Sequence, residues 1–309
     1  MTENNKASSS TETIKRINAL KKTRKAIILA HNYQPSDVQD IADFVGDSLE
    51  LAQLASKTPA KVLVFAGVHF MAETAYILAP NKTVLIPDVN AGCPMADMIT
   101  ADALRAKKAA LPHAAVVCYV NSTAAVKAES HICCTSSNAV QVVQSLSENE
   151  IVFVPDRFLG LWVATQVEKN LHLWEGYCPT HANVLAQHVI NMKSKYPDAK
   201  VIVHPECRPE VDALADAIPS TSGMLRYVKQ TNTRQFIVGT EIGILHRMRK
   251  ENPEKEFIPL VPQILCPTMK LTTLDKIADC LEQMHPQVTV PEEIRLRAFK
   301  SVDLMIKAT

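Results

Sequence analysis

Short runs of consecutive apolar residues recur along the chain, separated by longer stretches whose apolar positions follow helical spacing. The runs are Lys25–Ala30, Val62–Ala66 and Thr83–Ile86, then Ala115–Val120, Glu150–Val154 and Leu171–Trp174, then Lys200–Val203, Gln235–Val238 and Phe257–Leu260. A run that is apolar throughout predicts a strand covered on both faces, and strands alternating with helices predict parallel α/β units. Asp40–Ser56 reads as one such helix, with Ile41, Phe44, Val45, Leu49, Leu51 and Leu54 as its apolar positions. Glu292–Lys307 reads as a terminal amphipathic helix packed back onto the first unit. The opening residues to Thr13 are polar and rich in Ser and Thr, which predicts a loose tail.

The nine runs fall into three sets that share a phase. Each first strand ends in a polar cluster: His31-Asn32-Tyr33, Tyr119-Val120-Asn121-Ser122 and His204-Pro205-Glu206. Hydroxyls follow at the start of a helix: Ser48, then Ser136-Ser137, then Ser220-Thr221-Ser222. Each third strand is followed by Cys-Pro, at Cys93, Cys178 and Cys266. The pitch is 88 then 85 residues on the first clusters and 85 then 88 on the cysteines. Order and pitch together predict an internal triplication. The expected fold class is therefore α/β, with three small parallel-sheet, Rossmann-like, three-layer domains. After a flexible tail at 1–12 these are 13–98 plus 276–309, 99–185 and 186–275. Parallel units bind ligands at the carboxyl ends of their strands. Three units about a pseudo-threefold axis would bring those ends to one central cluster site.

Composition narrows the chemistry. The 309 residues carry 33 Lys+Arg against 32 Asp+Glu, a net charge of +1, so no bulk field draws the chain to nucleic acid or an anionic membrane. No run approaches the roughly 18–20 apolar residues of a membrane span, and a cytoplasmic location is expected. The eight glycines contain no G-x-G and no Walker A loop, so phosphate must be met by hydroxyls and backbone N–H groups at helix starts. The eight cysteines contain no C-x-x-C pair, and without a signal peptide they are expected as thiols or metal ligands. Three thiolates from three related loops suit a soft metal. Zinc with a fourth ligand such as His181 fits. A [4Fe–4S] cluster, with three irons on Cys93, Cys178 and Cys266 and the fourth open, fits the threefold pattern better. Cys118 and Cys280 read as core thiols. Cys133, Cys134 and Cys207 have no role assigned by spacing, and a vicinal disulfide at 133–134 would be strained.

Six motifs in order resemble the quinolinate synthase family: Ala30-His-Asn-Tyr-Gln34, Gly46-Asp-Ser48, Gly92-Cys-Pro-Met-Ala-Asp97, Tyr119-Val-Asn-Ser-Thr123, His204-Pro-Glu206 and Cys266-Pro-Thr-Met269. The resemblance runs from about Thr13 to the end of the chain. It implies an enzyme that condenses iminoaspartate with dihydroxyacetone phosphate to quinolinate, releasing phosphate and water, in NAD biosynthesis. It also implies a [4Fe–4S] cluster on Cys93, Cys178 and Cys266, whose open iron serves as the Lewis acid for dehydration. A functional link to an iminoaspartate-producing L-aspartate oxidase or dehydrogenase follows, with no nucleic acid or membrane partner.

Roles carry over by position. The resemblance makes His31, Tyr33 and Glu206 the catalytic acid/base groups. It makes His31, Ser48, Tyr119, Asn121, Ser136, His204, Glu206, Ser220 and Thr221 the substrate-binding set, with Ser48 and Ser136 on the phosphate. Some family members carry C-x-x-C-x-x-C at the third ligand. Here the run Cys266-Pro-Thr-Met-Lys-Leu-Thr272 has one cysteine, which excludes a disulfide switch at that place. Two other three-cysteine iron–sulfur enzymes of triplicate build compete: the hydroxymethylbutenyl diphosphate reductase and the diphthamide-forming aminocarboxypropyl transferase. The His-Asn-Tyr-Gln and Tyr-Val-Asn-Ser motifs argue against both. A zinc-stabilised binding scaffold is the non-enzymatic alternative.

Overall fold

The computed structural model describes residues 3–308. Its strands form three wholly parallel sheets. The first contains β1 (Ala26–His31), β2 (Phe44–Gly46), β3 (Val62–Ala66) and β4 (Thr83–Leu85), in the order β2-β1-β3-β4. The second contains β5 (Ala115–Tyr119), β6 (Ile132–Cys134), β7 (Glu150–Val154) and β8 (Asn170–Leu173), in the matching order β6-β5-β7-β8. The third has β9 (Lys200–Val203), β10 (Gln235–Gly239) and β11 (Glu256–Pro259), ordered β11-β10-β9. Central strands are apolar because helices cover both faces: every residue of β3 and β5 is buried. The third sheet keeps its fourth position as a single parallel bridge, Ile202 to Ala217, beside β9. All nine expected runs are strands. The two that went unread, β2 and β6, are three-residue edge strands too short to show a period.

The triplication extends to side chains. Asp43 Oδ2 accepts the Ile28 N–H at 2.7 Å, His131 Nδ1 accepts the Val116 N–H at 2.8 Å, and Asp216 Oδ2 accepts the Val201 N–H at 2.8 Å. Each acceptor stands fifteen residues after its donor, and each satisfies a strand N–H one residue ahead of the point where the short neighbouring strand or bridge begins to pair. Three lysines do the same for carbonyls. Lys82 Nζ donates to Ala55 and Thr58, Lys169 to Leu146 and Glu148, and Lys255 to Val228 and Thr231. Each pair of carbonyls lies at or just past a helix C-terminus, where a cation also meets the negative end of the helix dipole.

Three expectations are corrected. Asp40–Ser56 is not one helix. A short helix, Ser36–Ile41, gives way to β2 and then to the helix Ser48–Lys57. Asp47 causes the restart, because its side chain accepts the N–H groups of Leu49 and Glu50 while Glu50 returns to the Asp47 N–H. The expected tail is helical from Glu3 to Arg24, with Met1 and Thr2 outside the described residues. That helix buries Ile17 and ties Thr13 to Asp275 and Arg16 to Asp279 of the helix Leu274–Gln283.

The terminal helix Glu292–Lys307 joins the second repeat instead of the first. Arg297 pairs with Glu129 at 2.6 Å, Ser301 Oγ donates to the Lys127 carbonyl at 2.8 Å, and Asn138 Nδ2 donates to the Met305 carbonyl at 3.1 Å. Its apolar stripe, Ala298, Val302 and Met305, is fully buried. The chain divides into two compact bodies: the residues up to Cys93 with Pro267–Glu292, and Pro94–Cys266 with the residues from Glu293. The first body holds the first sheet and the second holds the other two. Both boundaries within the sheets' sequence fall inside Cys-Pro dipeptides.

Candidate active site

In the second body, two strand ends deliver the most concentrated polar chemistry. β5 ends in Tyr119, and β9 runs into His204-Pro205-Glu206. Tyr119 O–H donates to Glu206 Oε1 at 2.5 Å, and His181 Nδ1 lies 2.7 Å from Oε2. His181 comes from the helix Pro179–Ala182, one turn after Cys178, and its Nε2 is 2.9 Å from Thr240 Oγ1. The His181 and His204 rings stack with centroids 4.9 Å apart. Tyr119, His181, His204 and Glu206 are all buried. Burial pushes the Glu206 carboxyl up, but the His181 and His204 charges and the hydrogen bonds from His181 and Tyr119 outweigh it. Glu206 is held well below the usual carboxylate range. It is therefore an ionised acceptor with both oxygens engaged. His204 Nδ1 accepts the Glu206 N–H at 3.3 Å, which leaves Nε2 as the ring's donor atom.

Hydroxyls gather nearby in sequence at the helix starts. Ser137 Oγ donates to Ser220 Oγ at 3.0 Å and lies 3.2 Å from Ser222 Oγ. Ser220 also caps the helix Thr221–Gln230 by accepting the Gly223 N–H at 3.1 Å. Ser220 and Thr221 are buried. Ser136, half-buried, sits in the turn ahead of Ala139–Ser145, whose N-cap is Asn138. Ser48 is the first residue of its helix and leaves the cap to Asp47. Neither Ser48 nor Ser136 is a helix cap, which leaves both to other work. Asn121 is half-buried and its Oδ1 is a buried acceptor without a hydrogen bond.

The first body repeats the strand-end device. His31 ends β1, and its Nδ1 accepts the Tyr33 N–H at 3.2 Å, as His204 does for Glu206. The neutral His31 ring thus also presents Nε2–H. The Tyr33 ring meets His31 edge to face with centroids 4.5 Å apart. Lys270 Nζ donates to the Tyr33 carbonyl, and Gln34 Nε2 to Met269 Sδ at 3.4 Å, tying the motif to the segment after Cys266.

The cysteines sort by exposure. Cys93, Cys178 and Cys266 are half-buried, whereas Cys118, Cys133, Cys134, Cys207 and Cys280 are buried. Burial raises the Cys133, Cys134 and Cys207 thiols well above their ordinary value and Cys280 to about 12. These four are protonated small hydrophobes. Cys118 differs. Burial alone would raise it, but hydrogen bonds from Cys133, Ser122 and Ser130 and the charge of buried Lys127 bring it down to about 7.

The thiols that are not sealed in core are therefore those of the three Cys-Pro turns. Among the described residues, Cys178, His181 and Glu206 have donor atoms that all lie within 4.8 Å of one another, close enough to share an ion. Tetrahedral ligands about 2.0–2.2 Å from zinc stand roughly 3.3 Å apart. The 2.7 Å between His181 Nδ1 and Glu206 Oε2 is the length of a hydrogen bond, so in this state a proton occupies that place.

With this geometry in view, the chain was compared with known proteins. The profile of the family described as quinolinate synthetase A protein matches residues 15–307. The chain belongs to that family. A quinolinate synthase of Dehalococcoides mccartyi is 57% identical over 95% of this chain and 97% of its own. Those of Geobacter sp. strain M21 and Desulforudis audaxviator are 56% and 54% identical, each over 96% of this chain and 97% and 98% of their own. Relatives carrying that name are enzymes, and this chain is an enzyme of the quinolinate synthetase A family. No helix among the described residues is long and apolar enough to cross a membrane.

Several residues of these buried clusters carry little signal in the sequence. The resemblance points to Ser136, whereas Ser137 makes the hydroxyl contacts to Ser220 and Ser222. His181 reads as a zinc ligand, and Cys178-Pro-Thr-His181 places it one helical turn from the thiol. Thr240, Asp156 and Glu241 gave no signal except their phase in the repeat.

Proposed function

We propose that the protein is a quinolinate synthase, condensing iminoaspartate with dihydroxyacetone phosphate to quinolinate with release of phosphate and water, within NAD biosynthesis. Membership of the family over nearly the whole chain supports this. The observation that carries it is the buried, ionised Glu206 held between the Tyr119 hydroxyl and His181. Ring formation and aromatisation require protons to be moved between carbon, nitrogen and oxygen, and the hydrogen-bonded chain Tyr119–Glu206–His181, with links of 2.5 and 2.7 Å, is a path along which protons can be relayed.

In this reading Glu206 takes a substrate proton on Oε1 as Tyr119 O–H turns aside, and His181 holds Oε2 in place. His204 and His31, each with the proton on Nε2, donate to substrate oxygens. Tyr33, packed edge-on against His31, is the partner acid/base for moving a proton between adjacent carbons of the triose. Ser48 and Ser136, with Ser220 and Thr221, supply hydroxyl and backbone donors to phosphate and carboxylate. Asn121, with its buried acceptor open, and Tyr119 orient iminoaspartate. Cys93, Cys178 and Cys266 are proposed to hold a [4Fe–4S] cluster. That cluster would supply Lewis acidity towards a departing hydroxyl. Supporting this are their shared place in the repeat and their half-burial against five sealed thiols. Three α/β domains set about a pseudo-threefold axis, with the expected bounds 13–98 plus 276–309, 99–185 and 186–275 changed only in that the terminal helix joins the second, belong to the same proposal.

Anaerobically purified protein supplied with both substrates tests this. Quinolinate and inorganic phosphate should form in equal amounts, and a colourless protein with one zinc and no acid-labile sulfide would sink the cluster assignment. Replacing Cys93, Cys178 or Cys266 by Ala should remove cluster and activity together, while Cys280→Ala should keep both.

A further inference from the structure

The three Cys-Pro loops are anchored by one shared backbone contact. His69 N–H donates to the Ala91 carbonyl at 2.7 Å, Arg157 N–H to Gly176 at 2.8 Å, and Ile242 N–H to Ile264 at 3.0 Å. In every case the acceptor stands two residues before the cysteine. The residue preceding each donor is Val68, Asp156 and Glu241, at the repeat's own pitch of 88 and 85. The second and third of these are fully buried acids.

Both acids face the backbone of a cysteine. Glu241 Oε1 accepts the Cys266 N–H at 3.3 Å, while Oε2 accepts the Gly243 N–H at 2.7 Å. Asp156 Oδ1 accepts the Leu159 N–H at 2.9 Å, and the N–H of Cys178 also acts on its carboxyl. Asp156 Oδ2 is buried and makes no further hydrogen bond of ordinary geometry. An acid sealed in this way is costly unless its hydrogen bonds do something a hydrophobic residue could not. Val68 shows that the anchor itself needs no acid. What Asp156 and Glu241 add is a grip on the cysteine's own amide.

We propose that Asp156 and Glu241 are positioning residues that fix the Cys178 and Cys266 loops for metal ligation. This rests on the three-cysteine cluster reading above. Both thiols are pre-set by carboxyl-to-amide bonds before any metal arrives.

The test measures cluster retention in anaerobically reconstituted full-length protein challenged with a chelator, followed by visible absorbance and by iron and sulfide content. Glu241→Ala and Asp156→Ala should bleach about fivefold faster than wild type, the scale of one ordinary hydrogen bond. Glu241→Gln, whose one carbonyl oxygen can serve only one of the two N–H groups that Glu241 accepts, should rescue retention in part, to a rate between those of Glu241→Ala and wild type. Asp216→Ala, which also loses a carboxylate-to-amide bond but at Val201 in β9, should bleach at the wild-type rate. Metal-free circular dichroism of each variant confirms that it folds. Equal bleaching of Glu241→Ala and Asp216→Ala, or failure of Gln to rescue, would overturn the proposal with the cluster reading intact. Wild-type protein that takes up no iron and sulfide would overturn the cluster reading, and this inference with it.

Discussion

Replacing His181 by Ala leaves Glu206 Oε2 buried with its donor gone. The carboxylate keeps the Tyr119 hydroxyl at 2.5 Å but loses the 2.7 Å partner that offsets its burial. Removing one member of a buried pair costs about 3–5 kcal/mol, whereas an amide that still donates, as in His181→Gln, should cost about 1–2 kcal/mol. Urea unfolding of metal-free protein measures this without a contribution from bound metal. Both tryptophans, Trp162 and Trp174, lie in the second body, so their fluorescence reports the unfolding of the part that holds the site. The pH dependence supplies a second check. Glu206 has a folded pKa below its unfolded value, so its contribution is fully present above about pH 4.3 and is lost as pH falls towards the folded value. In His181→Ala burial would prevail and Glu206 would fold protonated. The stability gap to wild type should therefore narrow as pH falls from 7 to 4. A loss under 1 kcal/mol at pH 7, or a gap that widens with acid, would refute the assignment of His181 as the group that holds Glu206.

Further outcomes are expected. Tyr33→Phe should keep iron and sulfide at wild-type content but block an early proton transfer, cutting quinolinate formation by about 10²–10⁴; unaltered turnover would refute its acid/base role. A Cβ at position 176 would stand 2.4 Å from the Pro155 carbonyl oxygen, which is backbone and cannot step aside. Gly176→Ala should thus lose about 3 kcal/mol or more in urea unfolding, on the scale of overpacking. Lys169→Met frees the Leu146 and Glu148 carbonyls and should cost about 1–3 kcal/mol, measured by the same fluorescence.

Strands are legible where they are long enough and buried. β3, β7 and β9 match their apolar runs end to end, because nearly every residue in them is covered by the packed core. The edge strands β2 and β6, at three residues each, are too short to write a pattern, and Asp47, a cap inside an apolar stretch, is the cue that Asp40–Ser56 is broken. Of the site, the strand-end residues could be read because repeat phase singles them out. His181 and Ser137 could not, since their roles arise from partners 25 and 83 residues away, Glu206 and Ser220. The terminal helix was placed on the wrong unit for a similar reason. Amphipathicity shows that a face is buried, not against what, and Glu129, which receives Arg297, looks like any surface acid in sequence.

The lysine clamps at Lys82, Lys169 and Lys255 bear on how the fold tolerates drift. In each unit one charged residue closes two carbonyls that strong side-chain packing would otherwise have to shelter. The helix ends are thereby fixed by chemistry that needs only a lysine at one phase of the repeat. The residues around them are released to diverge, and that freedom is where an ancestral threefold unit could acquire a valine at 68, an aspartate at 156 and a glutamate at 241 without losing its frame.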